Sequence, residues 1–185
     1  MTPVSKHRPT AGTKNDNWST DFVSDELFDG QRLRVLALVD DHSRQRLALH
    51  GSQRIREINV VGMLERIAGE HGLPKLLRVA NGPELSSNDV DLWAYWNGVM
   101  LDFSRPGKPT DHATIESFNS SLRKECLNAN WFLSLVDARE KLSTWRAEYY
   151  EDRPYSSLGD RAASVFAARH GPPTSPPPPA RIDLR

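Results

Sequence analysis

The stretch RLRVLALVDD, residues 32–41, constrains the fold more than any other part of the sequence. Its middle, from Val35 to Val39, is apolar at every position, so a strand formed here needs cover on both faces. WSTDFV (18–23) and QRLALH (45–50) are also typical of strands. Asp29-Gly30 predicts a hairpin after the first strand, because both residue types tolerate positive φ angles. The pattern therefore predicts three antiparallel strands in succession.

The rest of the chain alternates between helical and extended patterns. Apolar residues recur at helical spacing from about 54 to 70, and the short apolar strand LLRV (76–79) suits the interior of a sheet after a helical crossover. The order β-β-β-α-β-α-β-α-α predicts an α/β fold with a mixed five-stranded sheet, three antiparallel strands followed by crossover strands, flanked by helices. The remaining predicted elements are a helix at 88–98, a strand at 99–105, and helices at 111–127 and about 135–150.

The length of 185 residues fits one domain with tails. Residues 1–16 and the Pro-rich stretch 171–185 are predicted to be disordered, which leaves 17–170 as the folded core. No stretch approaches the roughly 20 apolar residues that cross a bilayer, and the start lacks an apolar signal segment, so we expect a cytoplasmic protein without a membrane partner. The formal net charge is zero and gives no general indication of nucleic-acid binding, although basic residues cluster between Arg105 and Lys124.

Three positions would converge in such a fold. Asp21 lies on the first strand, Ala80 is at the tip of the fourth, and Glu116 belongs to a polar row on a helix. Isolated acids on a strand and a helix are most often solvated or paired with a base, so the residues alone do not establish a site. The polar row, at helical spacing, consists of Glu116, Asn119, Ser120 and Arg123.

Five motifs, in chain order, carry a family resemblance: NWSTDFVSD, VLALVDDHSR, HGLPKLLRVANGPELSS, LDFSRPGKPTDHATIESFNSSLRKECLN and YYEDRPYSSLG. Together they resemble the catalytic core of the retroviral-integrase superfamily, the DDE-type integrases and transposases, and most of all bacterial insertion-sequence transposases. The resemblance runs from about Trp18 to about Phe166. It implies a ribonuclease-H-like fold that cleaves DNA strands and transfers them in transposition or integration.

The same resemblance implies a metal site. Members of the family bind two divalent ions, Mg²⁺ or Mn²⁺, through an Asp, a second Asp and a Glu. Asp21 matches the first Asp and Glu116 the Glu, while the position of the second Asp is occupied by Ala80. The thirty-five residues between positions 80 and 116 are the family's spacing. The three positions are therefore the predicted catalytic set, with Asp21 and Glu116 as the remaining metal ligands.

The resemblance also implies partners. DNA, both element ends and target, is the expected substrate, and the chain is expected to form a homo-oligomer or to associate with other transposase subunits. Residues that would face DNA phosphates are Lys108, Asn119, Arg123 and Lys124.

The alanine leaves two functions open. Two-ion catalysis needs one ion to activate the attacking oxygen and another to stabilise the leaving oxygen. The first function is that of a transposase core whose catalysis is strongly impaired because Ala80 weakens the metal site. The alternative is a non-catalytic remnant that binds DNA or interacts with an active transposase. Sequence alone does not separate natural decay from a deliberate substitution at Ala80.

Overall fold

The computed structural model describes residues 11–80, 82–103, 113–152, 154–155 and 161–162. The strands are β1 Asn17–Glu26, β2 Arg32–Asp40, β3 Arg46–Ser52, β4 Leu76–Val79, β5 Met100–Phe103, β6 Pro154–Tyr155 and β7 Arg161–Ala162. The helices are α1 Glu57–His71, α2 Asn88–Asn97, α3 Ala113–Leu122, which continues as a π-helical turn at Arg123–Leu127, and α4 Leu135–Asp152. None of the described helices is long and apolar enough to cross a membrane.

The main sheet has five strands in the order β3-β2-β1-β4-β5. β2 pairs antiparallel with both β1 and β3, whereas β4 runs parallel to β1 and β5 runs parallel to β4. The predicted mixed sheet, a three-stranded meander extended by crossover strands, is confirmed. The small pair β6–β7 was not predicted from the sequence and is antiparallel.

Side chains from both faces of β2 are buried, as the apolar run predicted. Leu36 and Leu38 belong to a core that α1 and α2 cover, with Trp18, Leu64 and Trp93 among its members. On the opposite face, a second core contains residues of α3 and α4 and the other half of the apolar run. The β2 residues of this second core are Leu33, Val35, Ala37 and Val39. The sheet is therefore the middle layer between two pairs of helices.

Aromatic contacts fasten α3 and α4 on the second face. The guanidinium of Arg46, on β3, lies 4.5 Å from the ring centroids of both Phe118 and Tyr149. Trp145 completes the cluster, with its ring centroid 5.5 Å from that of Phe118. Because Phe118 is in the middle of α3, this cluster fixes the position of the helix that carries Glu116.

The first hairpin differs in detail from its prediction. Gly30 adopts a φ of 80°, but Asp29 is not among the residues with positive φ. The loop spans five residues, and the N–H of Leu27 donates to the carbonyl of Gln31 at 2.7 Å. Asp29 instead accepts a hydrogen bond from the backbone N–H of Gln31 at 3.0 Å. Asp29 therefore stabilises this turn through its side chain and not through a left-handed backbone conformation.

Residues 11–16 form a turn that contacts the core. The backbone N–H of Asn15 donates to Asp40 Oδ2 at 2.7 Å, and its side-chain amide donates to the carbonyl of His71 at 2.6 Å. The rest of the predicted N-terminal tail, residues 1–10, lies outside the described residues. The Pro-rich stretch 171–185 lies outside them as well.

Candidate active site

The parallel pairing of β1 with β4 brings Asp21 next to Ala80. Thr20 is in register with Val79, and the N–H of Ala80 donates to the carbonyl of Thr20 at 3.3 Å. Ala80 therefore stands one step further along, beside Asp21, although the two are far apart in sequence. On its other side, Asp21 is in register with Ala37 of β2. The predicted meeting of the first strand and the tip of the fourth is observed.

A hydrogen bond connects Asp21 to α3. The side-chain amide of Asn119 donates to Asp21 Oδ2 at 2.8 Å, and Asp21 Oδ1 accepts from the backbone N–H of Phe22 at 2.7 Å. Glu116 lies three residues before Asn119 on the same helix and is exposed. Residues three apart share one side of a helix. Glu116 therefore lies on the same side of α3 as Asn119, which contacts β1 at Asp21.

The next turn of the same row also contacts β1. Arg123 Nη1 donates to Asp25 Oδ2 at 2.8 Å, and Nη2 donates to the backbone carbonyl of Ser24. Asn119 and Arg123, two of the residues predicted to face DNA, therefore form hydrogen bonds with β1. Lys124 is exposed. The remaining predicted DNA contact, Lys108, lies outside the described residues.

A buried ionic cluster beside the site was missed from the sequence. Arg78, two residues before Ala80, donates through Nη1 to Asp41 Oδ2 at 2.8 Å, and its Nε lies 3.5 Å from Asp102 Oδ2. Burial raises the pKa of Asp41, whereas the charge of Arg78 acts in the opposite direction. In the sequence, the features that could have indicated this cluster are the paired acids of LVDD and the arginine of LLRV. The cluster ties β4 to β5 and to the end of β2.

The turn after β4 is held by a second ion pair. Arg34 forms a short charge-assisted hydrogen bond with Glu84, and the Arg34 guanidinium stacks 4.2 Å from the ring centroid of Phe22. The hydrogen bond from Arg34 lowers the pKa of Glu84. Arg34 bonds to Glu84 Oε1, whereas Glu84 Oε2 is buried without a hydrogen-bond partner among the described residues.

The donor set falls short of a two-ion site. Mg²⁺ prefers oxygen ligands in octahedral geometry, and the side chain of Ala80 offers no donor atom. Among the described residues, no group of three or more His, Cys, Asp or Glu side chains is arranged to hold a metal ion. Asp21 and Glu116 are the predicted ligand positions that carry a carboxylate. With alanine at the third position, these side chains do not supply the donor set expected for two ions.

Comparisons with known proteins agree with this fold. A sequence model described as "Integrase core domain" matches residues 12–109, and a second one of the same description matches residues 97–162. An uncharacterized 31.7 kDa protein of insertion element IS407 from Burkholderia multivorans is 44% identical over 159 residues, which is 86% of this chain and 57% of that protein. An uncharacterized 39.2 kDa protein of insertion element IS476 from Xanthomonas euvesicatoria is 40% identical, over 84% of this chain and 45% of the relative. The chain thus spans about half the length of these relatives.

Solved structures show the same architecture. The intasome of simian T-cell lymphotropic virus, in complex with PP2A regulatory subunit B56 gamma, contains a chain with a TM-score of 0.73 at 17% identity, covering 95% of this chain and 61% of that one. The HTLV-2 integrase catalytic core domain in complex with magnesium, in a trimeric form, gives a TM-score of 0.66 at 11% identity, covering 84% of this chain and 97% of that one. The sheet order, the flanking helices and the matched sequence together show that this chain belongs to the integrase core domain family, with the ribonuclease-H-like fold that its motifs implied.

Proposed function

We propose that the chain is the core of an insertion-sequence transposase, built to cleave DNA strands and transfer them, and that its catalysis is strongly impaired. The observation that carries this proposal is the position of Ala80, directly after β4, beside Asp21 in the middle of β1. A carboxylate at this position would lie next to Asp21. A methyl group there leaves two of the three expected carboxylates, those of Asp21 and Glu116.

The remaining residues have separable roles in this proposal. Asp21 and Glu116 would bind a divalent cation, Mg²⁺ or Mn²⁺. Such ions, when bound in pairs, activate the attacking oxygen and stabilise the leaving one. Asn119 orients the Asp21 carboxylate through its 2.8 Å hydrogen bond. Loss of one member of a cooperating catalytic set costs on the order of 10⁴ to 10⁶ in rate in other enzymes, which sets the expected scale of impairment.

DNA binding follows from the same surface. Lys124 is exposed one residue beyond Arg123, and it would contact phosphates together with Lys108. Asn119 and Arg123 border the surface while they bind β1. We propose that binding depends on salt because phosphate contacts release counterions. The expected partners are element-end and target DNA, with further subunits of the same chain or of an active transposase.

The loss of the second Asp also favours a second function. The family fold, the Asn119–Asp21 bond and the Arg123–Asp25 pair are all present around a position that cannot coordinate metal. A chain of this kind could bind DNA or another transposase subunit without cleaving DNA. Salt-sensitive DNA binding with no metal-dependent nicking at any Mn²⁺ concentration would favour this second function over impaired catalysis.

Isothermal calorimetry with Mn²⁺ tests the missing ligand. We expect Ala80→Asp to tighten Mn²⁺ binding by tenfold or more. Ala80→Asn is the matched control, because its side chain has almost the same size and carries no charge. Equal affinity in the original chain and in Ala80→Asp, or an equal gain in both variants, would contradict the assignment.

Nicking and strand-transfer assays on element-end DNA test the activity. We expect weak or no Mn²⁺-dependent nicking by the original chain and a large gain in Ala80→Asp. Adding Glu116→Gln to that variant should abolish the gain. Vigorous nicking by the original chain that survives Glu116→Gln would show that the activity does not use this site.

A further inference from the structure

A cleft whose lining includes none of the three site positions opens between the first hairpin and the segment that leads into α4. It has a volume of about 320 Å³ and is lined by Glu26, Phe28, Asn128 and Trp131, among others. The N–H of Phe28 donates to the carbonyl of Phe132 at 2.8 Å, so the two walls are joined by the backbone. The cleft is therefore a fixed feature of the fold and not a gap between loose loops.

Two aromatic rings stand exposed at this cleft. Phe28 and Trp131 are 68% and 76% exposed. Their ring centroids are 5.9 Å apart in an edge-to-face arrangement. Exposed aromatic pairs beside a groove are the feature by which proteins bind polyproline helices, because rigid proline rings pack between aromatic rings at little entropic cost. The indole N–H of Trp131 can in addition donate to a peptide carbonyl.

The charge of the cleft selects the kind of ligand. The described residues that line it include two acids, Asp25 and Glu26, and no Lys, Arg or His. Asp25 is paired with Arg123, whereas no described residue forms an ion pair with Glu26. Lys141 Nζ donates to the Trp131 carbonyl at 2.7 Å and pairs with Asp137. The Glu26 carboxylate therefore remains as the lining charge without an ion pair among the described residues, and it favours a cationic group beside it.

The chain itself contains a segment with both properties. Residues 171–185, GPPTSPPPPARIDLR, combine four consecutive prolines with Arg181 and Arg185 against one acid, Asp183. We propose that Pro176–Arg181 binds in this cleft of the same chain, with the prolines packed on Phe28 and Trp131 and with Arg181 beside Glu26. The interaction would place the Pro-rich segment over the junction of β1 with the end of the α3 helical region.

The covalent connection is long enough. β7 packs against α4, whose 18 residues span about 27 Å at 1.5 Å per residue, and the N-terminal end of α4 adjoins the cleft. The stretch from Ala162 to Pro176 can extend over roughly 45 Å. Even from the far end of α4, the segment reaches the cleft. Tethering then favours binding within one chain, because the effective concentration of a tethered segment is high.

Fluorine NMR of the full chain labelled with 5-fluorotryptophan tests the proposal. Trp131 is observed with Trp96, which is 78% exposed on α2 and serves as an internal control. A soluble paramagnetic agent reports the solvent contact of each ring. We compare the original chain with a variant in which the four prolines, Pro176, Pro177, Pro178 and Pro179, are replaced by serine. These replacements lie outside the predicted core, residues 17–170, so we expect them to leave the core intact.

We expect the proline variant to move the Trp131 resonance and at least to double its paramagnetic relaxation, with no change at Trp96. Arg181→Glu should produce the same effect in part, and Glu26→Arg combined with Arg181→Glu should reverse it. Identical Trp131 signals in the original chain and the proline variant would overturn the proposal. A difference that appears only as the protein concentration rises would also overturn it, because the segment would then bind a second copy.

Discussion

Asn119 donates a 2.8 Å hydrogen bond to the carboxylate of Asp21, and this contact joins the helix that carries Glu116 to the strand that carries the first candidate ligand. The two residues are 98 positions apart in sequence. The bond sets where the Asp21 oxygens point. One helical turn further on, Arg123 also contacts β1, through an ion pair with Asp25.

Removal of this hydrogen bond should affect both stability and metal affinity. A hydrogen bond to a charged group contributes about 1.5 to 3 kcal/mol, so we expect Asn119→Ala to lower the free energy of unfolding by roughly this amount or less, since the site is only partly buried. Urea unfolding measures it, with the exposed neighbour Ser120→Ala as control. If Asn119→Ala and Ser120→Ala have equal effects on unfolding and on Mn²⁺ binding, Asn119 has no orienting role.

The pair formed by Arg123 and Asp25 should contribute little. The Arg123 side chain is 38% exposed, and ion pairs near the surface are worth about 0.2 to 1 kcal/mol. A double-mutant cycle of Arg123→Met and Asp25→Asn, followed by urea unfolding, should give a coupling energy in this range that decreases with added salt. A coupling of several kcal/mol that is insensitive to salt would contradict this view of the pair.

Glu84 should make stability depend on pH. Arg34 lowers the pKa of Glu84 below its usual 4.5, so the unfolded chain takes up this proton at a higher pH than the folded one. The contribution of Glu84 is therefore fully present above about pH 5.5 and is lost as the pH falls through the lowered pKa. We expect Glu84→Gln to be less stable than the original chain at pH 7 and the difference to shrink below pH 4. A difference that is constant from pH 7 to pH 3 would contradict the prediction.

A carboxylate introduced at position 80 should be costly until metal binds. Ala80→Asp places a second negative charge beside Asp21, and like charges at this distance destabilise the folded state. Thermal unfolding in EDTA should show a lower Tm for Ala80→Asp than for Ala80→Asn. Mn²⁺ should raise the Tm of the aspartate variant more, because a ligand that binds only the folded state stabilises it. Equal Tm values for both variants in EDTA would mean that position 80 does not face Asp21.

Much of the fold was predictable because hydrophobic periodicity reports burial directly. The run from Val35 to Val39 required two covered faces, and the structure has two cores, one on each side of β2. The order of helices and strands followed from the same signal. The position of the hairpin at Asp29-Gly30 was predicted correctly, but its backbone conformation was not. The five-residue loop needs one left-handed residue and not two.

The polar contacts of the site were harder to predict. The row containing Asn119 and Arg123 was visible as helical spacing, but the sequence did not indicate that both side chains bind β1. A pairing across 98 residues depends on the packing of whole elements. The predicted helix 111–127 likewise changes to a π-helical turn at Arg123, a local change that no periodicity announces. The proximity of Asp21 and Ala80 was easier to predict, because β4 pairs in parallel with the first half of β1 and ends beside Asp21.

The most direct test of the central claim is a crystal of Ala80→Asp soaked in Mn²⁺, compared with an identically soaked crystal of the original chain by anomalous diffraction. We predict a strong manganese peak in contact with Asp21 in the variant, and a weak peak or none there in the original chain. Equal peaks at Asp21 in both crystals, or a manganese peak in the variant remote from Asp21, would contradict the central claim.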